Sequence, residues 1–152
     1  RSLMEAAGAG GMVGGQWLDL LGEGEALGAE ALGDLHRRKP GALLTAALTL
    51  GARAAQAAED RVRALEIYGQ AIGLAFQIAD DILDDTASAE ALGKNPSDAQ
   101  LDKSTYVALH GLEGARRRAQ GEVDAAIEAL TSVGLDSEPL EALARYVVDR
   151  NR

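Results

Sequence analysis

The stretch FQIADDILDD, residues 76–85, places four aspartates on a segment that otherwise has the residues of an apolar helix. Aspartate is a poor helix former. The pairs Asp80/Asp84 and Asp81/Asp85 are four residues apart, where like charges on a helix repel by about 0.2–0.5 kcal/mol each. The acids also precede a segment of loop composition, so they would lie near the helix C-terminus, where the helix dipole disfavours anions. Because propensity, repulsion and dipole all oppose this arrangement, we infer that the acids serve something other than helix stability.

A helical wheel divides this segment into two faces. At roughly 100° per residue, one stripe takes in Gln77, Asp80, Asp81 and Asp84, with Asp85 to one side. The opposite face is apolar, with Ile72, Ala75, Ala79 and Ile82. One interpretation is a solvated acidic face. The other is a site for a hard cation such as Mg²⁺, which takes oxygen ligands and would turn the mutual repulsion of the carboxylates into attraction.

Composition limits the class of protein. A chain of 152 residues is long enough for one domain with a real core. The net charge of −9 argues against general binding to nucleic acid or to anionic membranes. No cysteine is present, which excludes disulfides and Cys-metal sites and is compatible with a cytoplasmic location. No apolar run approaches about 20 residues, so no transmembrane segment is predicted.

The periodicity of the chain predicts an all-α protein, because no alternating strand pattern is found. A long segment between the acids and the next helix, residues 87–103, is predicted to be a loop with a functional role. The predicted helices are residues 2–21, two pieces divided at Pro40, a long helix from near Ala58 to the acids, residues 104–134 with an irregularity at Gly111, and a last helix capped by Asp136 or Ser137.

The lysines indicate a site for phosphate. The chain has three lysines and twelve arginines, so arginine supplies most of its positive surface charge. Lys39 lies next to Pro40, whereas Lys94 and Lys103 follow the acids in the predicted loop. Lysine is a compact charge suited to phosphate, and lysines beside an aspartate cluster are typical of a Mg²⁺-diphosphate site. Solvated loop lysines are the alternative interpretation.

These segments resemble a known family. GLAFQIADDILDD and GKNPSDAQLDKSTY together are similar to the second aspartate-rich region of the trans-isoprenyl diphosphate synthases, the farnesyl and geranylgeranyl diphosphate synthases. GMVGGQWLDL resembles the family's Gly-Gly-Gln-x-x-Asp-Leu helix, HRRKPGALLTAA its Lys-Thr helix, and LEALARYVVDRNR the end of bacterial short-chain members. Phe-Gln-x-x-Asp-Asp-x-x-Asp followed by two spaced lysines is much more specific than DDxxD alone.

The resemblance implies a role for each matching residue. The implied Mg²⁺ residues are Asp80 and Asp84, with Asp81 in the motif and Asp98 acting through water. The residues implied to hold the allylic diphosphate are Lys39, Lys94 and Lys103. Gln77 would face the allylic carbon, and Gln16 and Asp19 would line the same cavity, with Asp19 near the metal.

The implied reaction is condensation of isopentenyl diphosphate with an allylic diphosphate to a short-chain (C15 or C20) product. The implied fold is an all-α helical bundle around a central cavity, usually a homodimer. Residues 1–152 contain one DDxxD motif, at Asp80 to Asp84, and are therefore similar to the C-terminal part of a single catalytic domain. We expect this chain alone to be inactive.

One further departure from the family is Pro40, which stands where the family usually has Thr. Proline lacks an N–H and clashes with the carbonyl four residues back. We therefore expect a break that turns backbone carbonyls toward an allylic cation.

Two alternatives remain from the sequence. A class I terpene cyclase would share the fold and an aspartate-rich motif, but no second metal motif of the cyclase type follows Asp85. A non-catalytic helical subunit of such a synthase would keep the fold and modulate a catalytic partner. Trp17, the single tryptophan, is predicted to be a core residue. His36 and His110 are predicted to be surface residues, or residues whose hydrogen bonds are satisfied within the protein, rather than metal ligands.

Overall fold

A computed structural model of the chain describes residues 2–22, 28–92 and 105–149. Within those ranges the chain forms helices and turns and no strand, so the all-α prediction is confirmed. The elements are α1 (Ser2–Ala7), α2 (Met12–Leu21), α3 (Ala29–His36), a π-helix (Arg37–Gly41), α4 (Ala42–Ala54), α5 (Glu59–Leu92), α6 (Tyr106–Thr131) and α7 (Glu138–Asp149). None of these helices combines the length and apolar character needed to cross a membrane.

Helix α5 forms the centre of the fold. Its first half packs against the end of α6, against α7 and against α4 in a core that includes Val62, Ile72, Val123 and Val147. Its second half packs against the start of α6 and against α3 in a further cluster, which includes Ile78 and Leu32 with Tyr106. Helices α5 and α6 therefore run antiparallel, and the acids of α5 come to lie beside the first turn of α6.

A buried hydroxyl attaches the last helix to this centre. The Tyr68 hydroxyl on α5 donates a hydrogen bond of 2.7 Å to the Leu140 carbonyl oxygen on α7. Burial raises the pKa of Tyr68 to about 12, so the hydroxyl keeps its proton and remains a donor at neutral pH. Helix α7 begins at Glu138, and the Ser137 carbonyl accepts its first helical hydrogen bond, so Ser137 occupies one of the two predicted N-cap positions.

Three of the predicted elements can be compared in detail with the structure. The first predicted helix is divided into α1 and α2 by a glycine-rich turn at residues 8–11, since glycine costs about 1 kcal/mol in a helix interior. Helix α5 continues to Leu92, past the predicted start of the loop at residue 87, and the rest of that loop lies outside the described residues. The prediction that the acids lie near the C-terminus of their helix is therefore wrong, since they precede its end by about two to three turns and the dipole acts only within the last turn. The irregularity predicted in α6 is confirmed at Gly111, whose φ is 69°.

The predicted break at Pro40 is a change of helix type rather than a gap. The π-helix Arg37–Gly41 contains Pro40 and joins α3 directly to α4. Proline has no N–H for the α-helical hydrogen bond, and its ring clashes with the carbonyl four residues back. A π-helical turn, with its wider ring of hydrogen bonds, accommodates the extra residue without ending the helix.

Glycines allow the backbone of the π-helix to approach the backbones of α5 and α2 closely. A Cβ at Gly73 on α5 would lie 2.3 Å from the Gly41 Cα, which is closer than Cβ atoms approach other atoms in proteins. A Cβ at Gly15 on α2 would lie 3.0 Å from the Lys39 nitrogen. The π-helix is thus held between α2 and α5, and its position depends on the absence of side chains at these residues.

Helices α1 and α2 carry an exposed apolar surface, which we call the α1–α2 surface. The prediction that Trp17 is a core residue is wrong for this chain, since its side chain is 62% exposed. Within the described ranges no other helix covers this side of α2. The large apolar side chains of the surface are Leu3, Met4, Met12, Val13, Trp17, Leu20 and Leu21.

The backbone contact at Gly73 makes a prediction about stability. Gly73→Ala should lower the free energy of unfolding by about 1–3 kcal/mol, because the new Cβ must push the π-helix away from α5. Gly121→Ala is the matched control, since Gly121 lies on α6 with nothing within 4 Å of its Cβ position. It should raise stability by about 0.5–1 kcal/mol through helix propensity alone. Urea denaturation measures both, and equal stability of Gly73→Ala and the wild type would contradict the contact.

Candidate functional site

The acidic stripe on α5 is partly formed as the helical wheel predicts. Gln77 and Asp80 are half-buried, and Asp84 is exposed one turn further along. The Gln77 side-chain amide donates to Asp80 Oδ2 over 3.4 Å, at the long end of hydrogen-bond distances. The amide therefore lies beside the first carboxylate of the DDxxD motif, and both face the same side of the helix.

Asp81 differs from its neighbours in the motif. Its Oδ2 accepts a hydrogen bond of 2.8 Å from the backbone N–H of Tyr106, the first residue of α6. The predicted role of Asp81 as a metal residue stays a prediction. What the structure shows is a carboxylate oxygen bound to the start of another helix.

An ion pair joins two of the predicted substrate residues. The Lys39 Nζ, from the π-helix, lies 2.5 Å from Asp19 Oδ2 on α2. The two side chains are 24% and 22% exposed, so the pair is partly shielded from water. Gly15 brings α2 and the π-helix close enough for this contact, as described above. Gln16 lies on the same helix as Asp19, and its side chain is exposed.

The glycine contact between the π-helix and α5 places these two groups on one side of α5. Gly73, Gln77, Asp80 and Asp84 follow one another at intervals of three or four residues and therefore share one face of the helix. Gly73 touches Gly41, two residues after Lys39. At 1.5 Å per residue, Gln77 and Asp80 lie about 6 Å and about 10 Å further along the axis of α5. The lysine-bearing turn and the acidic stripe thus line the same side of the fold.

The residues present fit a magnesium ion that is shared with a phosphate. No group of three potential metal-ligating His, Asp or Glu side chains converges within residues 2–22, 28–92 and 105–149. Mg²⁺, however, is usually held by only one or two carboxylates, with waters and substrate phosphates completing the octahedron. Asp80 and Asp84 fit such a partial set. Asp98, Lys94 and Lys103, which the resemblance adds to the site, lie outside the described residues.

An aromatic contact that the sequence did not predict connects α3 and α6. The buried His36 ring lies 5.5 Å from the ring of Tyr106, centroid to centroid, and the ring of the exposed His110 lies 5.8 Å from it. Burial raises the pKa of the Tyr106 hydroxyl, although Arg118 and Arg37 act in the opposite direction. His36 is thus a packing residue.

Sequence comparison matches residues 4–137 to the family model described as Polyprenyl synthetase. The chain is 46% identical to a farnesyl diphosphate synthase of Escherichia coli (strain K12), over 99% of this chain and 52% of that protein. It is 41% identical to a geranylgeranyl diphosphate synthase of Cyanophora paradoxa, over 93% of this chain and 48% of that protein. The chain thus spans about half the length of the curated relatives it matches.

Solved structures show the same half-length similarity. A putative farnesyl-diphosphate synthase from Marinomonas sp. MED121 superposes with a TM-score of 0.81 and 34% identity, over 97% of this chain and 50% of that one. A geranyltransferase from Helicobacter pylori, complexed with magnesium and isoprenyl diphosphate, superposes with a TM-score of 0.76 and 30% identity, over 98% of this chain and 49% of that one.

The partial burial of the Lys39–Asp19 pair makes a prediction about its energy. A double-mutant cycle with Lys39→Met and Asp19→Asn should give a coupling energy of about 1 kcal/mol, near the upper end for ion pairs that water still reaches. The control is Arg116–Glu113, a 2.8 Å pair whose side chains are 53% and 71% exposed. The control cycle should stay below about 0.5 kcal/mol. Urea denaturation of all variants measures both cycles, and equal coupling in the two would show that burial does not strengthen the pair.

Proposed function

The chain belongs to the polyprenyl synthetase family, and on that premise we propose that it supplies half of the active site of a trans-prenyltransferase. The proposed reaction condenses isopentenyl diphosphate with an allylic diphosphate to a C15 or C20 isoprenyl diphosphate. One observation carries the proposal: the lysine-bearing π-helix and the stripe of Gln77, Asp80 and Asp84 line the same side of α5. The names of the relatives support the chain length of the product and favour a synthase over a terpene cyclase.

Lys39 is proposed to hold the allylic diphosphate. A lysine ammonium has three donors, and Asp19 accepts from one of them. Among the described residues no second side-chain acceptor contacts the Lys39 ammonium, so the two other donors can serve diphosphate oxygens, while Asp19 limits the rotation of the long side chain. As negative charge builds on the departing diphosphate, a fixed cation close to it stabilises the transition state more than the ground state.

Asp80 and Asp84 are proposed to hold Mg²⁺. When bound, the ion would supply Lewis-acid stabilisation to the leaving diphosphate, and the magnesium and isoprenyl diphosphate named for the Helicobacter pylori structure support this assignment. Gln77, which lies against Asp80, is proposed to orient that carboxylate and to face the allylic carbon. Asp98, Lys94 and Lys103 are proposed to complete the site.

Pro40 contributes through the shape of its helix. Because proline donates no hydrogen bond, a carbonyl in the preceding turn loses the donor that a regular helix would supply. We propose that such a carbonyl faces the allylic cation, where its dipole would stabilise positive charge. The central cavity, the homodimer and the cytoplasmic location remain predictions from the resemblance.

The other half of the site is proposed to come from a second helical segment that packs on the α1–α2 surface. The relatives are about twice as long as the matched region, and this surface is apolar and uncovered by the described helices. An exposed apolar area of this kind is typical of a protein interface. The same observation favours the alternative of a helical subunit that modulates a catalytic partner.

The incompleteness of the site predicts that the chain alone is inactive. The purified 152-residue chain, mixed with labelled isopentenyl and dimethylallyl diphosphates and Mg²⁺, should give no product. Fused behind the preceding half of the Escherichia coli farnesyl diphosphate synthase, it should give C15 or C20 product. Robust product from the chain alone would contradict our account of the essential residues. An inactive but folded fusion would favour the non-catalytic subunit.

The acidic stripe predicts that its carboxylates are not equivalent. In the active fusion, Asp80→Ala should lower turnover by about 10²-fold or more, a typical loss for an electrostatic element of this kind. Asp84→Ala should also be damaging, and less so if its contact with the ion passes through water. Asp85→Ala, outside the motif, is the control and should stay near the wild type. Equal losses for Asp80→Ala and Asp85→Ala would remove the stripe from the mechanism.

A further inference from the structure

We propose that Asp81 is a positioning residue, which holds the first turn of α6 against the acidic stripe and does not serve as a ligand of the metal. The side chain of Asp81 forms a hydrogen bond with the backbone of α6. Asp81 Oδ2 accepts from the Tyr106 backbone N–H at 2.8 Å, across 25 residues of sequence. Tyr106 opens α6, so its N–H has no acceptor within its own helix. A side chain from another helix therefore satisfies a backbone donor that would otherwise need water.

Two side chains cap the start of α6, and each accepts from a different backbone N–H of its first turn. The Thr105 hydroxyl accepts from the Ala108 N–H at 3.1 Å, which is the ordinary local N-cap. Asp81 accepts from the N–H of Tyr106, two residues before Ala108, and so adds a tertiary contact to the local cap. Its charge is disfavoured on α5 by the like charge of Asp85 four residues later, but it is favoured at the N-terminus of α6, where the helix dipole is positive. The unfavourable position of this acid on its own helix is thus offset by a favourable one on its neighbour.

Through Tyr106 the contact reaches the helix that carries Lys39. The Tyr106 side chain is 5% exposed and packs with Leu32, Leu74 and Ile78 in the second core cluster. Its ring also lies against that of His36, the last residue of α3 before the π-helix. The Asp81 bond therefore ties together α5, the start of α6 and the end of α3. Of these elements, α5 carries the acidic stripe, and α3 directly adjoins the π-helix that carries Lys39.

The two neighbours of Asp81 in the motif have different surroundings. Asp80 lies beside the Gln77 amide, and Asp84 is exposed to solvent. At position 81 a carboxylate oxygen accepts from the first backbone N–H of α6. A substitution by Asn separates the two roles, because the amide keeps an acceptor oxygen for the Tyr106 N–H but loses the negative charge that a hard cation prefers.

Hydrogen exchange at Tyr106, followed by NMR in the full 152-residue chain, tests the tether directly. Asp81→Ala should speed exchange of the Tyr106 amide at least about tenfold, the scale of one lost hydrogen bond to a charged acceptor. Asp81→Asn should stay within about threefold of the wild type. Asp80→Ala is the control for loss of a neighbouring charge and should leave this amide unchanged. Wild-type exchange in Asp81→Ala would overturn the tether.

A ligand-binding experiment tests whether the Asp81 carboxylate is also a ligand of Mg²⁺. This experiment rests on the proposed function. The probe is inorganic diphosphate with Mg²⁺, and the readout is the rise in Tm of the fusion with the preceding half of the Escherichia coli farnesyl diphosphate synthase, because the chain alone carries only half of the proposed site. Asp81→Asn should keep an apparent Kd within about twofold of the wild type, while Asp80→Asn should weaken it at least about tenfold. Equal weakening by both variants would make Asp81 a ligand and overturn the proposal. If the wild type shows no rise in Tm, the proposed function fails, and the exchange measurement still decides the tether.

Discussion

The backbone contact between Gly41 and Gly73 is the constraint on which the rest of the site depends. A π-helical turn is wider than an α-helical one, and it can lie against α5 only where neither partner carries a side chain. This contact sets the distance between the turn that carries Lys39 and the helix that carries the acids. Gly15 does the same on the other side, where it brings Asp19 within reach of Lys39. Two charged groups are thus positioned by residues that have no functional groups of their own.

The aspartates in the second half of α5 can be understood once the neighbouring helix is considered. On an isolated helix they would lower stability through their mutual repulsion. In the folded chain, Asp81 lies at the positive end of α6, and Asp80 lies beside the Gln77 amide. Antiparallel packing of α5 and α6 makes this possible, since it brings the second half of α5 beside the start of α6. The fold therefore compensates part of the charge before any ligand is bound.

The exposed apolar residues of α1 and α2 have a related origin. A helix with an apolar face is stable in water only if another element covers that face. Trp17 and Val13 lie on such a face, and the described helices leave it open. The opposite side of α2 is packed, since Gly15 touches the π-helix. Helix α2 thus has one side packed against this chain and one apolar side that is suited to a partner. This agrees with a chain that matches about half the length of its relatives.

The sequence by itself determined the helical class, the long acidic helix, the irregularity at Gly111 and the stripe of Gln77, Asp80 and Asp84, because each follows from local periodicity or from the steric properties of one residue. It also singled out Lys39 and Asp19, although only through resemblance. Their ion pair, the backbone bond of Asp81 and the exposure of Trp17 were decided by tertiary structure. Each of these depends on which helices become neighbours, and the distances between Asp19 and Lys39 or between Asp81 and Tyr106 span 20 and 25 residues of sequence. A periodic pattern shows which face of a helix is apolar or charged, but the residue that faces it is chosen by the packing of the whole chain.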